Sequence, residues 1–233
     1  MTRHELKEQL QHDHFTDAVS DVVSYARVNR ELLTRLVFAA VVILLLGAAA
    51  IWFTSYKRSE RQQALDAAMR VVEAPVGTST SVPTSYPTQA AKQQAEIRSL
   101  SDVVTRYGGS REGLIAEYYL GTVKAQTNDS KGAESNLKRV ADSSSDFAAL
   151  AKIALAQLFA GENRISDARA LLKSISDKPS DLVSTTQAQI LLAQLDVSTN
   201  PQEAKKILQS LRGPKQAPAV TRAIDQVSGQ LTH

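Results

Sequence analysis

The feature that constrains this chain most is an apolar run of eighteen residues, Leu36–Phe53, which no polar side chain interrupts. Between Arg35 and Lys57 there are 21 uncharged positions. At about 1.5 Å of rise per residue, a helix of that length spans roughly 30 Å, the hydrocarbon thickness of a bilayer. The run therefore predicts a transmembrane helix over 36–56. We expect Leu36 and Leu45 of the run to anchor the helix in the hydrocarbon layer. Trp52 and Tyr56 at its end are expected to anchor it at the headgroup level, which amphipathic aromatic rings prefer.

A cleaved signal peptide is the main alternative interpretation of this run. Its apolar core would normally follow a few basic residues at the extreme N-terminus, whereas 35 residues precede the run here. We therefore expect an uncleaved anchor. The distribution of basic residues does not settle its orientation in the membrane, because the two flanks carry nearly equal numbers. Arg27, Arg30 and Arg35 precede the run, and Lys57, Arg58, Arg61 and Arg70 follow it.

Residues 1–35 are predicted to form a short tail that contains an amphipathic helix, since apolar side chains recur at helical spacing: Phe15, Val19, Val22, Val23 and Ala26. The run His12-Asp13-His14 suggests either a metal site or solvated side chains. Histidines at i and i+2 do not share a helix face, which favours the solvated interpretation.

The segment 57–109 is predicted to be a helical stalk and an atypical first helix pair. A helix is expected over 59–72, followed by a loop rich in Pro, Ser and Thr over 74–88. A second helix is expected over 89–107, where Gly108-Gly109 ends it.

Residues 110–233 show self-similarity at offsets of 35 and then 36 residues. Each unit has two adjacent residues in the middle of a first helix, followed by an alanine and two larger apolar residues in a second helix. In the first unit these are Leu120-Gly121, then Ala133, Leu137 and Val140. In the second they are Leu155-Ala156, then Ala168, Leu172 and Ile175, and in the third Leu191-Leu192, then Ala204, Leu208 and Leu211. Small residues let paired helices approach, and the larger ones fill the space against the next pair. We expect a solenoid of helix hairpins, closed by a capping helix over 219–231; the alternative is an irregular helical bundle.

Turn chemistry supports these pairs. Asn128-Asp129-Ser130 and Gly161-Glu162-Asn163 separate the helices of the first two pairs. Asn200-Pro201 gives the last pair a helix cap followed by a proline at the first helical position, with Glu203 three residues after the cap. The fold class expected is therefore all-α, with an N-terminal transmembrane helix followed by a helical solenoid.

Composition excludes several classes of function. The chain has no cysteine, and His233 is the only histidine after the apolar run. The part of the chain after the run therefore offers no residues for a catalytic thiol, a Ser-His-Asp triad or a zinc site. A net charge of +3 is too small for a nucleic-acid binder. We expect no enzyme activity, no cofactor, no metal and no small-molecule substrate. The acidic residues are interpreted as solvated surface.

The repeat spacings resemble the tetratricopeptide repeat. In that family the inner faces of the first helices of each pair form a peptide-binding groove, and the resemblance places these residues there: Ile115, Tyr118, Thr122, Gln126, Ile153, Gln157 and Gln189. Leu150, Ala193 and Asp196 fall at further inward positions. A Lys/Asn/Arg clamp for a C-terminal carboxylate is missing, since Tyr118 and Thr122 occupy its places. For Ile115, Leu150 and Ile153, a plain core role is the alternative.

The layout as a whole resembles the bacterial ancillary SecYEG translocon subunit family. A helix containing Tyr25-Ala-Arg-Val-Asn-Arg30 precedes a single membrane span that ends in Trp52. The basic pair Lys57-Arg58 follows the span, and degenerate repeats come after it. The resemblance implies a single-pass inner-membrane protein with a cytoplasmic N-terminus and a periplasmic repeat domain. Its implied partners are the bilayer, Sec translocon subunits, exported polypeptides and periplasmic chaperones. A cell-envelope scaffold for division or outer-membrane assembly is the alternative function.

Overall fold

The structure, a computed structural model, describes residues 30–77, 85–213 and 217–231. These ranges contain nine α-helices and no strand, which confirms the all-α prediction: α1 Arg30–Glu73, α2 Gln89–Tyr107, α3 Arg111–Gln126, α4 Ser130–Ala141, α5 Ala148–Gly161, α6 Ile165–Asp177, α7 Thr185–Thr199, α8 Pro201–Leu211 and α9 Pro218–Gln230. The predicted amphipathic helix of the tail and the His12-Asp13-His14 run lie outside the described residues.

The chain divides into two compact units between Ser59 and Glu60. In the first unit, the apolar run of α1 is exposed, and Leu36, Leu45, Trp52 and Tyr56 are each more than half exposed. Its best 18-residue window has a mean hydropathy of 2.8 and no buried residue. By length and composition this helix can cross a membrane. At the end of the run the rings of Trp52 and Tyr56 stack with centroids 6.0 Å apart.

The second unit is a row of helices in which each packs on the next, and three apolar clusters follow one another along it. The first cluster joins the end of α1 to α2 and α3 through side chains that include Ala68, Leu100 and Leu120. The second joins α4, α5, α6 and α7, and the third joins α7, α8 and α9. In the third cluster, Ile224 and Val227 of α9 cover the apolar side chains of α7 and α8.

The turns between paired helices repeat the same backbone geometry. Asn128 and Asn163, which lie 35 residues apart, both adopt a φ of 62°. Asparagine tolerates this left-handed conformation better than most residues. Side chains cap the helices that follow in two pairs: Asp129 Oδ1 accepts a hydrogen bond from Gly132 N–H at 3.0 Å, and Asn200 Oδ1 accepts one from Glu203 N–H at 3.4 Å. The turn between α2 and α3 uses Gly109 at a φ of +79°.

Small residues set the distance between the helices of a pair. A Cβ at Gly121 would lie 2.7 Å from Leu137 Cγ, so α3 approaches α4 as closely as a glycine allows. Ala156 occupies the equivalent position in α5, with 2% of its surface exposed. In α7 the small residue is Ala193, which is fully buried, rather than either residue of the predicted pair Leu191-Leu192. The register of α7 is therefore shifted by one residue from the predicted one, whereas α8 keeps the predicted register, with Ala204, Leu208 and Leu211 all buried.

Backbone hydrogen bonds join the two ends of the segment between α1 and α2. Gly77 N–H donates to the Tyr86 carbonyl at 2.8 Å, and Tyr86 N–H donates to the Pro75 carbonyl at 3.1 Å. Residues 78–84 lie outside the described part of the chain. The two ends of this proline-containing segment are therefore held together by backbone hydrogen bonds.

The interpretation of the acidic residues as solvated surface is wrong for four of them, which are buried: Glu96, Glu112, Glu117 and Asp196. Each faces a basic side chain. Arg139 donates to Glu117, Arg169 Nε donates to Asp196 at 3.1 Å, and Arg61 and Lys92 form ion pairs with Glu112 and Glu96. Three of these pairs join different helices, and such partners are not visible in the sequence of one helix. Pairing is what makes a buried carboxylate tolerable.

Candidate binding clefts

Two clefts lie side by side along the second unit, and we call them the first and the second cleft. The first has a volume of about 520 Å³ and lies between α3, α4 and α5. The second has a volume of about 370 Å³ and lies between α5, α6 and α7. Both are therefore bounded by the first helices of successive pairs, α3 and α5 or α5 and α7, with a second helix behind them.

The two clefts are repeats of one another. Thr122, Ala125 and Leu137 line one side of the first cleft, and the residues 35 positions later line the second: Gln157, Ala160 and Leu172. The opposite wall repeats with an offset of 37: Ala154, Gln157, Leu158 and Gly161 in the first cleft, and Leu191, Gln194, Leu195 and Ser198 in the second. Gln157 belongs to both walls, so the clefts adjoin at this residue.

Both clefts are almost free of charge. Among the described residues that line either cleft, Glu162 is the only ionisable one. Its carboxylate is paired with Arg164 Nη1 at 3.3 Å. That guanidinium also contacts Glu134 at 2.8 Å and lies 3.7 Å from the centroid of the Phe159 ring. Its Nε lies 3.0 Å from Asp167, so three carboxylates share this one cation. The hydrogen bond to Glu134 raises the pKa of Arg164 above its ordinary value.

The predicted groove residues are brought together only in part. Thr122, Gln126 and Gln157 line the first cleft, and Gln157 with Ile153 lines the second. Ile153 is also a member of the buried core cluster, with 9% of its surface exposed, so for this residue the core interpretation is correct as well. Ile115 is half-buried.

Tyr118 lies away from both clefts. Its ring is half-buried and packs against Tyr119 and Phe147, with centroids 5.3 and 5.5 Å away. Burial raises the pKa of its phenol above the ordinary value of 10.0. Leu150 packs against the core cluster. Gln189 is half-buried and is not part of the lining of either cleft.

The sequence interpretation missed the far wall of the second cleft: Leu191, Gln194, Leu195 and Ser198. It placed Ala193 and Asp196 inward instead, and the structure buries both. The one-residue shift of α7 explains this error. The sequence signal for the correct register is Ala193, because it is the small residue of α7 that matches Gly121 in α3 and Ala156 in α5.

The clefts offer groups that can bind a partner. Their lining offers amide and hydroxyl groups above an apolar floor. The described residues contain no group of three His, Asp or Glu side chains that could hold a metal ion. Stacked helix pairs generate extended concave surfaces of this type, which take polypeptide segments.

The family model of the tetratricopeptide repeat-like domain matches residues 31–183, about two thirds of the chain. The chain belongs to this family. The matched region includes the whole first cleft and the helices α2 to α6. Comparisons with curated proteins and with solved structures found no match to the chain. Domains of the tetratricopeptide repeat type mediate contacts between proteins, so the second unit is a protein–protein interaction module.

Proposed function

We propose that this protein is a membrane-anchored, non-catalytic interaction module that serves as an ancillary subunit of the Sec translocon. In this role it handles exported polypeptides together with periplasmic chaperones. The observation that carries the proposal is the pair of adjoining, nearly uncharged clefts in a chain that also has a helix long and apolar enough to span a bilayer. The resemblance of the layout to the ancillary SecYEG subunits supplies the translocon as the partner.

The proposed topology is a single pass through the inner membrane, with the N-terminus in the cytoplasm and the repeats in the periplasm. Long domains cross a membrane largely regardless of flanking charge, so the basic residues after the run do not oppose this orientation. The chain contains no cysteine, so one introduced cysteine is its only thiol. Gln62→Cys lies at an exposed position of α1.

A membrane-impermeant maleimide tests this topology in cells whose outer membrane has been permeabilised. Labelling of Gln62→Cys before lysis is expected. Labelling only after the inner membrane has been broken would place the repeats in the cytoplasm and refute the proposed topology.

The partner is tested by crosslinking in intact membranes. A photoreactive amino acid at Gln126, an exposed residue of the first cleft, is expected to yield adducts with translocon subunits and with chains in export. The matched control carries the same amino acid at Gln226, an exposed residue of α9 outside both clefts. A set of adducts without any translocon subunit would refute the assignment to the translocon.

A second assay separates this function from that of an envelope scaffold. The full chain is added to an unfolded, aggregating protein, and turbidity is followed over time. We expect slower aggregation, because the clefts take extended polypeptide. A scaffold would bind one folded partner and leave the aggregation unchanged, and turnover of any substrate would refute the non-catalytic role.

A further inference from the structure

We propose that the part of α1 just beyond the apolar run is a binding site for anionic phospholipid, in which Lys57 and Arg58 hold the phosphate groups of the headgroups. The site lies within the first unit. Arg61, the next cation along α1, pairs with Glu112 at 3.3 Å in the second unit and is not part of the site. The inference goes beyond the proposed function, because it needs only that α1 is inserted in a bilayer and is independent of the partner that the repeats bind.

The first argument is the depth at which the two cations lie in a membrane. The apolar run ends at Phe53, and α1 continues as a helix through both basic residues. At about 1.5 Å of rise per residue, Lys57 and Arg58 follow Phe53 by roughly 6 and 7.5 Å along the helix axis. A bilayer of about 40–45 Å with a hydrocarbon core of about 30 Å has a headgroup layer of about 5–8 Å on each side. The Lys57 ammonium reaches back to 6.0 Å from the centroid of the Phe53 ring, so the two charges span the layer in which the phosphates lie.

The second argument is the charge of this segment. Arg58 is exposed, and among the described residues its guanidinium has no hydrogen bond or ion pair. The described part of the first unit contains one carboxylate, Glu31, which lies at the other end of α1 and pairs with Arg35 at 3.6 Å. The next carboxylate along the helix is Glu60, which accepts a hydrogen bond from the Tyr107 hydroxyl at 3.1 Å. The positive charge at this end of the run therefore has no counter-charge within the described part of the first unit, and complementarity selects an anionic headgroup.

The third argument is the arrangement of side chains around the helix. Successive residues of a helix are rotated by about 100°, so Lys57 and Arg58 lie on either side of the direction of Thr54. Trp52 and Tyr56 lie on the opposite face, where their rings stack with each other. One face of this segment thus presents aromatic rings, and the other presents two cations next to the apolar run. A lipid with a negatively charged headgroup and apolar chains matches the second face.

The test uses the full chain in vesicles and measures contact with lipid by the quenching of tryptophan fluorescence. Trp52 is the only tryptophan of the chain, so Trp52→Phe/Thr54→Trp moves the probe to the face of the two cations. Thr54 is exposed, so this change does not disturb the core. The vesicles consist of phosphatidylcholine with a minor fraction of a lipid that has brominated chains, since bromine quenches a tryptophan that it contacts.

The brominated lipid is either phosphatidylglycerol, which is anionic, or phosphatidylcholine, which is zwitterionic. We expect the brominated phosphatidylglycerol to associate with the probe at position 54 about fivefold more strongly, the equivalent of one fully effective cation. The native probe, Trp52, faces away from the cations and is expected to show a smaller preference.

Variants of the two cations test the site itself. In the background with the probe at position 54, Lys57→Gln/Arg58→Gln is expected to abolish the preference, whereas Arg58→Lys, which keeps the charge, retains it. Arg35→Gln is the matched control, because it removes one cation at the other end of the same run. It is expected to leave the preference unchanged, since position 35 lies roughly 28 Å from the probe along the helix.

Equal quenching by the two brominated lipids, or a preference that persists in Lys57→Gln/Arg58→Gln, would overturn the inference. The same fall in Arg35→Gln would also overturn it. The proposed membrane anchor survives these results, because either lipid still quenches the probe. If neither lipid quenches it, α1 is not inserted in the bilayer, and the anchor and the inference both fail.

Discussion

Replacing Gly121 by alanine tests the close approach of α3 and α4, on which the stacking of the pairs depends. The added Cβ would lie 2.7 Å from Leu137 Cγ and 2.9 Å from its Cδ2, closer than real contacts of this type. Overpacking of this kind costs about 1–3 kcal/mol. Alanine gains about 1 kcal/mol over glycine inside a helix. The net loss expected for Gly121→Ala is therefore about 0–2 kcal/mol of unfolding free energy.

Gly229→Ala is the matched control, because a Cβ at Gly229 in α9 meets nothing within 4 Å. It lacks the clash, and because Gly229 lies in the last turn of α9 it gains less than the interior value of about 1 kcal/mol, so it is expected to raise the unfolding free energy only slightly. The difference between the two variants then gives a lower limit for the clash, which is expected to cost about 1–3 kcal/mol. The assay is urea unfolding of the full chain in detergent micelles, followed by far-ultraviolet circular dichroism.

A double variant makes the test sharper. Leu137 is fully buried, and Leu137→Ala alone is expected to cost about 2–5 kcal/mol. In Gly121→Ala/Leu137→Ala, the new methyl group enters the space that the leucine has left, so the double variant should lose less stability than the two single losses added together. The coupling expected is about 1–3 kcal/mol, because the clash no longer exists. Additive losses, or a stabilising Gly121→Ala, would refute the contact between α3 and α4.

Three further predictions concern single residues. Arg169→Met leaves the buried carboxylate of Asp196 without its main partner and should cost up to about 3 kcal/mol in urea unfolding, whereas an unchanged midpoint would contradict the role of this pair. The pKa of Tyr118 is raised by burial, so its contribution to stability is complete below about pH 10 and is lost as the pH rises through the raised value. Tyr118→Phe should therefore flatten the alkaline fall of the urea midpoint, and an identical fall in both proteins would refute this. Gly113→Ala places a Cβ 2.1 Å from the Tyr107 carbonyl oxygen, a backbone atom, so thermal unfolding should show a loss larger than that of Gly121→Ala.

Much of the fold could be predicted from the sequence, because local signals mark the ends of the helices. The predicted helix over 89–107 matches α2, since Gly108-Gly109 supplies the left-handed residue that ends it. The turns around Asn128 and Asn163 likewise lie where the sequence places them. Signals of this kind act over a few residues and need no knowledge of distant partners.

The register of α7 could not be predicted in the same way. Its sequence mixes Ala, Gln and Leu without the contrast that Leu120-Gly121 provides in α3, so several faces are nearly equivalent. Packing against α6 and α8 decides which face is buried, and it selects Ala193. For the same reason Gln194, rather than Gln189, faces the second cleft. The error in the site thus follows from long-range packing.

The most direct test of the central claim, that the clefts receive extended polypeptide, uses the absence of cysteine from this chain. Gln157→Cys and Gln226→Cys are labelled with an environment-sensitive fluorophore in the full chain, and an unfolded protein is titrated in. We predict a saturable blue shift of the emission at position 157 and no change at position 226. No change at position 157, or equal changes at both positions, would contradict the account.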